Sequence, residues 1–345
     1  AQNSTLSRLV LYAKELTRTH KGVLHMSGIA GFYHPEKNFM EREEYYHNQL
    51  KRLNRSQKKR GPDDSGTYLS AHCGLSQVRL AISGLEPSPE HIRGVSLGHE
   101  PALLRLSGRS FALVMDGEIY NQEELLPELQ EILPGSGPYS CGSLLLAGYI
   151  KEGPDFIKKV NGVFAAAVYD PEEKSLFLFR DRLGIKPLFY TRADGDFLFA
   201  SQVCALLSWP GVRAELDEEG LNEVFSIGPA RTPGKAVFRN IREVLPGHFL
   251  ALTPGGQREI PYWELESRPH EDSCEETVEK TGFLIRDAVR RQLAAEVPVC
   301  TFLSGGVDSS LVSAICAEEL KKKNRRLITY SFEFQDSEKY FKVGS

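Results

Sequence analysis

Ser304-Gly305-Gly306-Val307-Asp308-Ser309-Ser310 follows an apolar run, 297–303, and opens an amphipathic helix. A strand, a glycine loop and a helix in that order make a cradle for an anion. The two glycines let the backbone approach a phosphate closely and take conformations that a Cβ forbids. The helix then turns its unpaired N–H groups and the positive end of its dipole toward the same point. Ser304, Ser309 and Ser310 add hydroxyl donors, and Asp308 is placed to hold a Mg2+ that neutralises phosphate oxygens. A bare Ser-Gly-Gly is no more than a turn with a serine cap. The strand before it and the Asp-Ser-Ser within it favour a nucleotide phosphate. No lysine follows the glycines, which separates this loop from the Gly-x4-Gly-Lys-[Ser/Thr] type.

A chain of 345 residues suits two domains, each with its own core. Its hydrophobic share of 41% and charged share of 26% are those of an ordinary soluble globular protein. A formal net charge of −4 gives no general attraction for nucleic acid. The basic cluster Lys321-Lys322-Lys323-Asn324-Arg325-Arg326 stands at the end of the loop's helix, where it complements the helix dipole. Six cysteines are scattered without a Cys-x-x-Cys pair, a reduced, cytoplasmic pattern with no zinc site; Cys300 and Cys316 lie in apolar runs and read as small core residues. There is no apolar run of about 18 residues to span a membrane. Residues 1–25 lack the apolar core of a secretory signal, and Met26 stands directly before the first organised segment, so 1–25 are expected to lie outside the first fold.

From 26 to about 205 the pattern is rich in strands, with short β-like runs at 27–33, 74–82, 111–115, 164–169, 176–180 and 197–201. Helices are expected at 41–58, 122–130, 143–150 and 154–160. Strand groups mixed with helices predict a layered α+β domain over 26–225. The many Pro and Gly turn signals of 226–270 predict a connecting region with a few strands. The last part reads helix, strand, loop, helix, strand. Ile285, Val289 and Leu293 form one stripe, and Leu311, Val312, Ile315, Cys316 and Leu320 another. Residues 271–345 therefore read as the start of a doubly wound, Rossmann-like α/β domain, C-terminally incomplete because two parallel strands make too small a sheet.

Several segments jointly resemble the glutamine-hydrolysing asparagine synthetases. They are Met26 to Phe32, Arg60-Gly61-Pro62-Asp63, Arg79-Leu80-Ala81-Ile82, Asp116-Gly117-Glu118-Ile119-Tyr120-Asn121, the run from Arg180 to Tyr190, Phe199-Ala200-Ser201 and Leu245-Pro246-Gly247-His248. The loop at 304–310 completes the series and is similar to the SGGxDS loop of the PP-loop ATP pyrophosphatases. The resemblance covers 26 to about 340. It implies an N-terminal class II glutamine amidotransferase domain, an Ntn-hydrolase αββα sandwich. A PP-loop synthetase domain that adenylates aspartate with Mg·ATP would follow, and ammonia from the first site would attack the aspartyl-AMP. By the same resemblance Arg79 would hold the glutamine carboxylate, with Leu80, Ala81, Ile82, Ser83, Glu118 and Cys141 around the substrate. Leu303 and Phe332 would flank the adenine, Ser304, Gly305, Gly306 and Ser309 would meet the phosphates, and Asp308 would hold Mg2+. A homodimer is also implied, with no nucleic-acid or membrane partner.

The resemblance breaks at three positions. The family's nucleophile is a Cys made N-terminal by removal of Met; here Ser27 stands there, and a hydroxyl is far less readily ionised than a thiol. If residues 1–25 remain attached, Ser27 also has no free amine to act as base. The family's oxyanion hole uses an Asn side-chain amide and the N–H of the next Gly, the positions of Asp116 and Gly117. A carboxylate offers no donor and repels the developing charge, and loss of one oxyanion donor typically costs about 10²–10³ in rate. The family's Asp that pairs with the glutamine ammonium has become Cys141, and a neutral thiol cannot replace a charge-assisted contact. Gln202 also replaces the Glu that usually follows Phe-Ala-Ser. The expectation is an asparagine synthetase that adenylates aspartate with ATP and amidates it with ammonia from glutamine or free ammonium, its glutaminase site degraded at Ser27, Asp116 and Cys141. Two alternatives share the fold: a β-lactam-forming relative with another acceptor, and a non-catalytic pseudoenzyme.

Overall fold

The computed structural model describes residues 27–82, 101–106, 108–133, 139–228, 232–295 and 297–332. The expectations for residues 1–25 and for Ser83 lie outside them. The chain divides between Leu265 and Glu266 into two units.

The first unit is built on two six-stranded antiparallel sheets. One carries β1 (Gly28–Tyr33), β2 (Asp64–Leu69), β3 (Cys73–Arg79), β8 (Phe189–Ala193), β9 (Asp196–Ala200) and β10 (Arg242–Glu243), in the order β10-β8-β9-β1-β3-β2. The other carries β4 (Ala102–Leu106), β5 (Arg109–Ile119), β6 (Gly162–Asp170), β7 (Ser175–Arg180), β11 (His248–Thr253) and β12 (Gly256–Pro261), in the order β12-β11-β7-β6-β5-β4.

Both faces of each sheet are covered, which explains why the central strands read as near-continuous apolar runs rather than alternating ones. On β6, Ala165, Ala167 and Tyr169 enter the layer between the sheets, where Ile29, Val114 and Leu178 meet them. Phe164, Ala166 and Val168 point the other way, against α2 (Gln122–Leu129) and α3 (Cys141–Glu152). Outside the first sheet, Ala30, Phe32 and Ala200 pack on α1 (Glu43–Gln57) through Tyr46, Leu50 and Leu53, with α4 (Val203–Leu207) adding Ala205 and Leu206. A helix layer, two sheets and a second helix layer form the αββα sandwich that the resemblance implied.

The connecting region expected at 226–270 is largely structural. β11 pairs with β7 from Phe249↔Phe179 to Leu252↔Leu176 and with β12 through a hairpin, so both strands extend the second sheet. Turn residues dominate 242–261 because antiparallel strands need tight reversals. The 154–160 helix is a 3-10 helix, Gly153–Lys159. β2, β4, β8, α4 and α5 (Glu218–Ser226) carry no local signal strong enough to mark them as elements.

The second unit contains α6 (Cys274–Gln292), β13 (Cys300–Phe302), α7 (Val307–Lys322) and β14 (Ile328–Tyr330), with β13 and β14 paired in parallel. Ser273 and Glu276 close a reciprocal capping box at the start of α6. Ile315, Cys316 and Leu320 are buried as their spacing predicts, whereas Leu311 and Val312 are exposed. Cys300 is exposed rather than part of a core, because a two-stranded sheet leaves its strand faces uncovered.

Gly148 of α3 tests the packing of the sandwich. A Cβ there would lie 2.1 Å from the Phe156 ring. Replacing a mid-helix glycine by alanine gains about 1 kcal/mol in helix propensity. Overpacking a buried ring costs about 1–3 kcal/mol. The steric effect wins, so Gly148→Ala is expected to lower the urea midpoint; a midpoint that rises would show that Phe156 yields freely.

Candidate active site

Asp116 is fully buried although it carries a charge. Strand periodicity puts it there, because Ala112 and Val114 on β5 face the layer between the sheets and Asp116 is the next residue of that set. Its Oδ2 accepts a hydrogen bond from Arg60 Nη2 at 2.8 Å. The ammonium of Lys186 lies 3.1 Å from Oδ1, close enough to pair its charge but out of line, so that oxygen accepts no hydrogen bond. The Arg60 guanidinium also donates through Nε to the backbone carbonyl of Ser27 at 2.7 Å. Ser27 is held a second time, its Oγ accepting from the Leu80 N–H at 3.1 Å. Ser27, Arg60, Leu80, Asp116 and Lys186 thus form one constellation drawn from five separate parts of the chain.

Two elements aim the cations. Arg60 follows α1, whose last residue Gln57 donates to the carbonyl of Ile29 in β1, fixing the helix end beside the start of that strand. Lys186 sits on the loop after β7. Asp116, Ala165 and Arg180 share one rung across β5, β6 and β7, so that loop starts level with Asp116. Asp181 shapes the loop by accepting from the N–H groups of Leu183 and Ile185 on one oxygen, and of Lys186 and Phe164 on the other. Arg180 donates to the carbonyls of Gly184, Lys186 and Val244 and pairs with Glu243 at 2.8 Å. Both side chains of that pair are about nine-tenths or more buried, so every bond made there also offsets desolvation.

Gly117 follows Asp116 with φ +145, and a Cβ on it would come 2.0 Å from the Val163 carbonyl, so only glycine fits this rung. Beyond it, Cys141 opens α3. Its sulfur receives the N–H of Ile119 at 3.4 Å and the Gln122 amide at 3.3 Å, and its thiol donates to Glu118 Oε2 at 3.4 Å. Burial pushes the Tyr120 phenol up, and the charges of Glu118 and Asp181 push it further, so it remains a neutral O–H. Arg79 ends β3, where its carbonyl accepts from the Asp63 N–H at 3.1 Å; Ala81 donates to Asp63 Oδ2 at 2.9 Å, and Ile82 is exposed. Sequence reasoning missed the roles of Arg60, Lys186, Arg180 and Asp181. Arg180 could have been found as a charge ending an apolar strand, but Arg60 and Lys186 lie in polar turns and carry no local signal.

In the second unit, Gly305 takes φ +87, and a Cβ on it would meet nothing within 4 Å; Gly306 caps α7 without any side chain occupying its N-terminus. The serines brace the loop: Ser309 Oγ accepts from the Ser304 N–H at 3.3 Å, meets Ser304 Oγ at 2.9 Å and donates to the Gly306 carbonyl at 3.2 Å. Leu303 donates to the Tyr330 carbonyl, and its own carbonyl accepts from Ser331 Oγ, which ties the loop to β14. Asp308 is exposed in the first turn of α7, and Phe332 lies beside Phe302, ring centroids 5.6 Å apart. An open glycine loop on an uncapped helix end fits a phosphate, and the exposed carboxylate beside it fits a Mg2+ carried with one.

Residues 26–263 match the glutamine amidotransferase domain family, and residues 281–342 match the asparagine synthase family. The sandwich is thereby a glutamine amidotransferase domain. The chain belongs to the glutamine-hydrolysing asparagine synthetase family. It is 37% identical over 321 residues to asparagine synthetase [glutamine-hydrolyzing] 3 of Bacillus subtilis, covering 93% of this chain and 50% of that protein. A putative asparagine synthetase [glutamine-hydrolyzing] 2 of Methanocaldococcus jannaschii is 29% identical over 92% of this chain and 62% of its own length. The chain thus spans about half the length of the first of these relatives. Among solved structures, glutamine phosphoribosylpyrophosphate amidotransferase from B. subtilis is similar with a TM-score of 0.45 and 17% identity, over 92% of this chain and 69% of that one. Among the described residues no helix is long and apolar enough to cross a membrane, and all six cysteines are free.

The ion triad predicts the effect of Asp116→Asn on stability. The new amide oxygen can still accept from Arg60, but its NH2 group must then face Lys186, and two cations lose their common counter-charge. Losing one charged partner of a buried hydrogen bond costs about 1–3 kcal/mol. The expected result is a lower denaturation midpoint, partly restored by adding Lys186→Met; an unchanged midpoint for Asp116→Asn would show that the triad contributes nothing.

Proposed function

We propose that this protein takes part in ATP-dependent synthesis of asparagine, drawing on free ammonium because its glutamine site no longer hydrolyses glutamine. The ion triad carries the second half of that reading. An amide hydrolysed at Ser27 would place negative charge near Gly117, within the field of the Asp116 carboxylate. Arg60 and Lys186, the two nearest cations, are already engaged by that carboxylate. Ser27 is a weak nucleophile, and its Oγ is already an acceptor for Leu80. Cys141 engages Glu118 instead of offering a charge to a substrate ammonium. Each change weakens a different step: attack, oxyanion stabilisation and substrate anchoring.

The open glycine loop and the uncapped end of α7 support the ATP-binding part of that reading. Gly305, Gly306 and the N-terminus of α7 would meet the phosphates of ATP, with Ser304 and Ser309 holding the loop open. Asp308 would bind the accompanying Mg2+, which supplies charge neutralisation at the phosphates. Leu303 and Phe332 would border the adenine. Arg79 to Ser83 would remain the carboxylate-binding edge of the glutamine pocket.

The test uses the intact gene product with aspartate and Mg·ATP, measuring AMP and asparagine with either ammonium or glutamine as nitrogen source. The expected outcome is asparagine from ammonium and little from glutamine. Asparagine formed equally from glutamine would overturn the silent-glutaminase reading. AMP absent with both sources would overturn the aspartate-adenylating one and favour another acceptor or a non-catalytic role. A Ser27→Cys/Asp116→Asn variant with a free N-terminus at residue 27 is expected to release more glutamate from glutamine than Ser27→Cys alone, by about 10²–10³, the usual worth of one oxyanion donor.

A further inference from the structure

Gln77 is a polar side chain set in an apolar layer. It alternates along β3 with Cys73 and Leu75, both of which face the space between the sheets. It is 2% exposed, so both ends of its amide must find partners inside the protein. Both find them on one residue of the opposite sheet. Gln77 Nε2 donates to the Met115 carbonyl at 2.7 Å, and Gln77 Oε1 accepts from the Met115 N–H at 3.0 Å. The side chain thus serves β5 as one more residue of a neighbouring strand would.

The register of the second sheet explains why such a residue is needed. β5 runs on to Ile119, but β4 pairs with it only as far as Ala102↔Leu113. On the other side β6 stays paired through Met115↔Ala166 and Asp116↔Ala165 to Ile119↔Gly162. Among the described residues no strand pairs with the outer edge of β5 beyond Leu113. Backbone groups on one edge of a strand recur at every second residue, so Met115 is the next after Leu113. Gln77 closes that position, and the residue beside it is Asp116, the centre of the ion triad. β3 meets the site at a second point, where the N–H of Leu80, just past its end, holds Ser27 Oγ at 3.1 Å. One strand therefore grips both sides of the site: Ser27 through Leu80, and the Asp116 rung through Gln77. Arg60 bonds Ser27 and Asp116 at once, and can span them only while that separation is kept.

We propose that Gln77 is a positioning residue of this site: by holding the Met115 peptide, it fixes the Asp116 rung of one sheet at a set distance from Ser27 on the other. It acts through the backbone of β5. An apolar side chain of similar size would fill the same space and keep the sheets packed, but it would leave that edge of β5 free to shift. The inference concerns how the site is held, and it stands whether or not glutamine is hydrolysed there.

Hydrogen exchange of the full chain, followed by NMR, tests this with Gln77→Leu. Exchange of the Asp116 N–H and of Arg60 Nε–H is expected to quicken at least about tenfold, as local opening of the rung requires. The amides of Leu250 and Leu252 on β11, three strands from β5, are expected to keep their rates. A uniform rise at all these positions would show that Gln77 only holds the sheets together, and would overturn the proposal. Unchanged rates at Asp116 and Arg60 would overturn it too. Gln77→His can make one of the two bonds, so it keeps the test open if Gln77→Leu does not fold; the same two rates are expected to rise by a smaller factor. Urea unfolding supplies a second readout. In the Asp116→Asn background, Gln77→Leu is expected to raise the unfolding constant at least about threefold less than in the unaltered chain, because coupled sites are not additive. Additive effects of the two substitutions would refute the coupling.

Discussion

A carboxylate buried between two sheets must be neutralised, and in this protein that requirement organises the first unit. Asp116 lies in the dry layer between the sheets, where an unpaired charge would cost several kcal/mol. Arg60 and Lys186 supply the compensation from opposite directions. To bring Arg60 there, α1 must end beside the start of β1; to bring Lys186, the loop after β7 must turn back over the rung that Asp116 occupies. Asp181 and Arg180, both buried, commit nearly all of their hydrogen-bonding capacity to holding that loop. The geometry of the site is thus a consequence of charge neutralisation in a low-dielectric layer.

The same requirement bears on chemistry. A class II amidotransferase site works when its positive potential is free to receive charge that develops on the substrate. Here a permanent charge from the protein already uses it. On the proposed reading, that arrangement is stable as a structure and ill suited to hydrolysis. The second unit shows no comparable compromise. Its loop keeps an open glycine and an uncapped helix end, which an anion can use directly, while Ser304 and Ser309 are spent on bracing the loop.

The motif segments were legible in the sequence because each has a strong local cause. Strand, glycine loop and helix follow from apolar runs broken by residues that permit unusual backbone angles, and 304–310 lies where that pattern puts it. The departures at Ser27, Asp116 and Cys141 were equally visible, since they concern residue identity alone. The central strands β1, β5, β6, β7 and β9 were found from apolar runs, although β5 extends four residues past its predicted end, through Asp116 to Ile119. A charged residue and a glycine look like a strand's end when read locally; cross-strand pairing with β6 carries the strand through them.

Residue order alone was enough to establish the class of fold, the strand, glycine loop and helix around 304–310, and where the residues depart from the family's pattern. How those exchanges are accommodated is a matter of the folded arrangement. No periodicity shows that Arg60 and Lys186, 126 positions apart by their numbers, converge on one carboxylate, because that convergence depends on sheet register and on a loop shaped by a distant aspartate. Nor could the sequence show that 242–261 completes the sheets, since short strands amid turns read as linker until a partner strand satisfies their backbone. Local propensity settles where elements begin; the pairing of buried polar groups settles which of them meet, and that is a property of the folded chain alone.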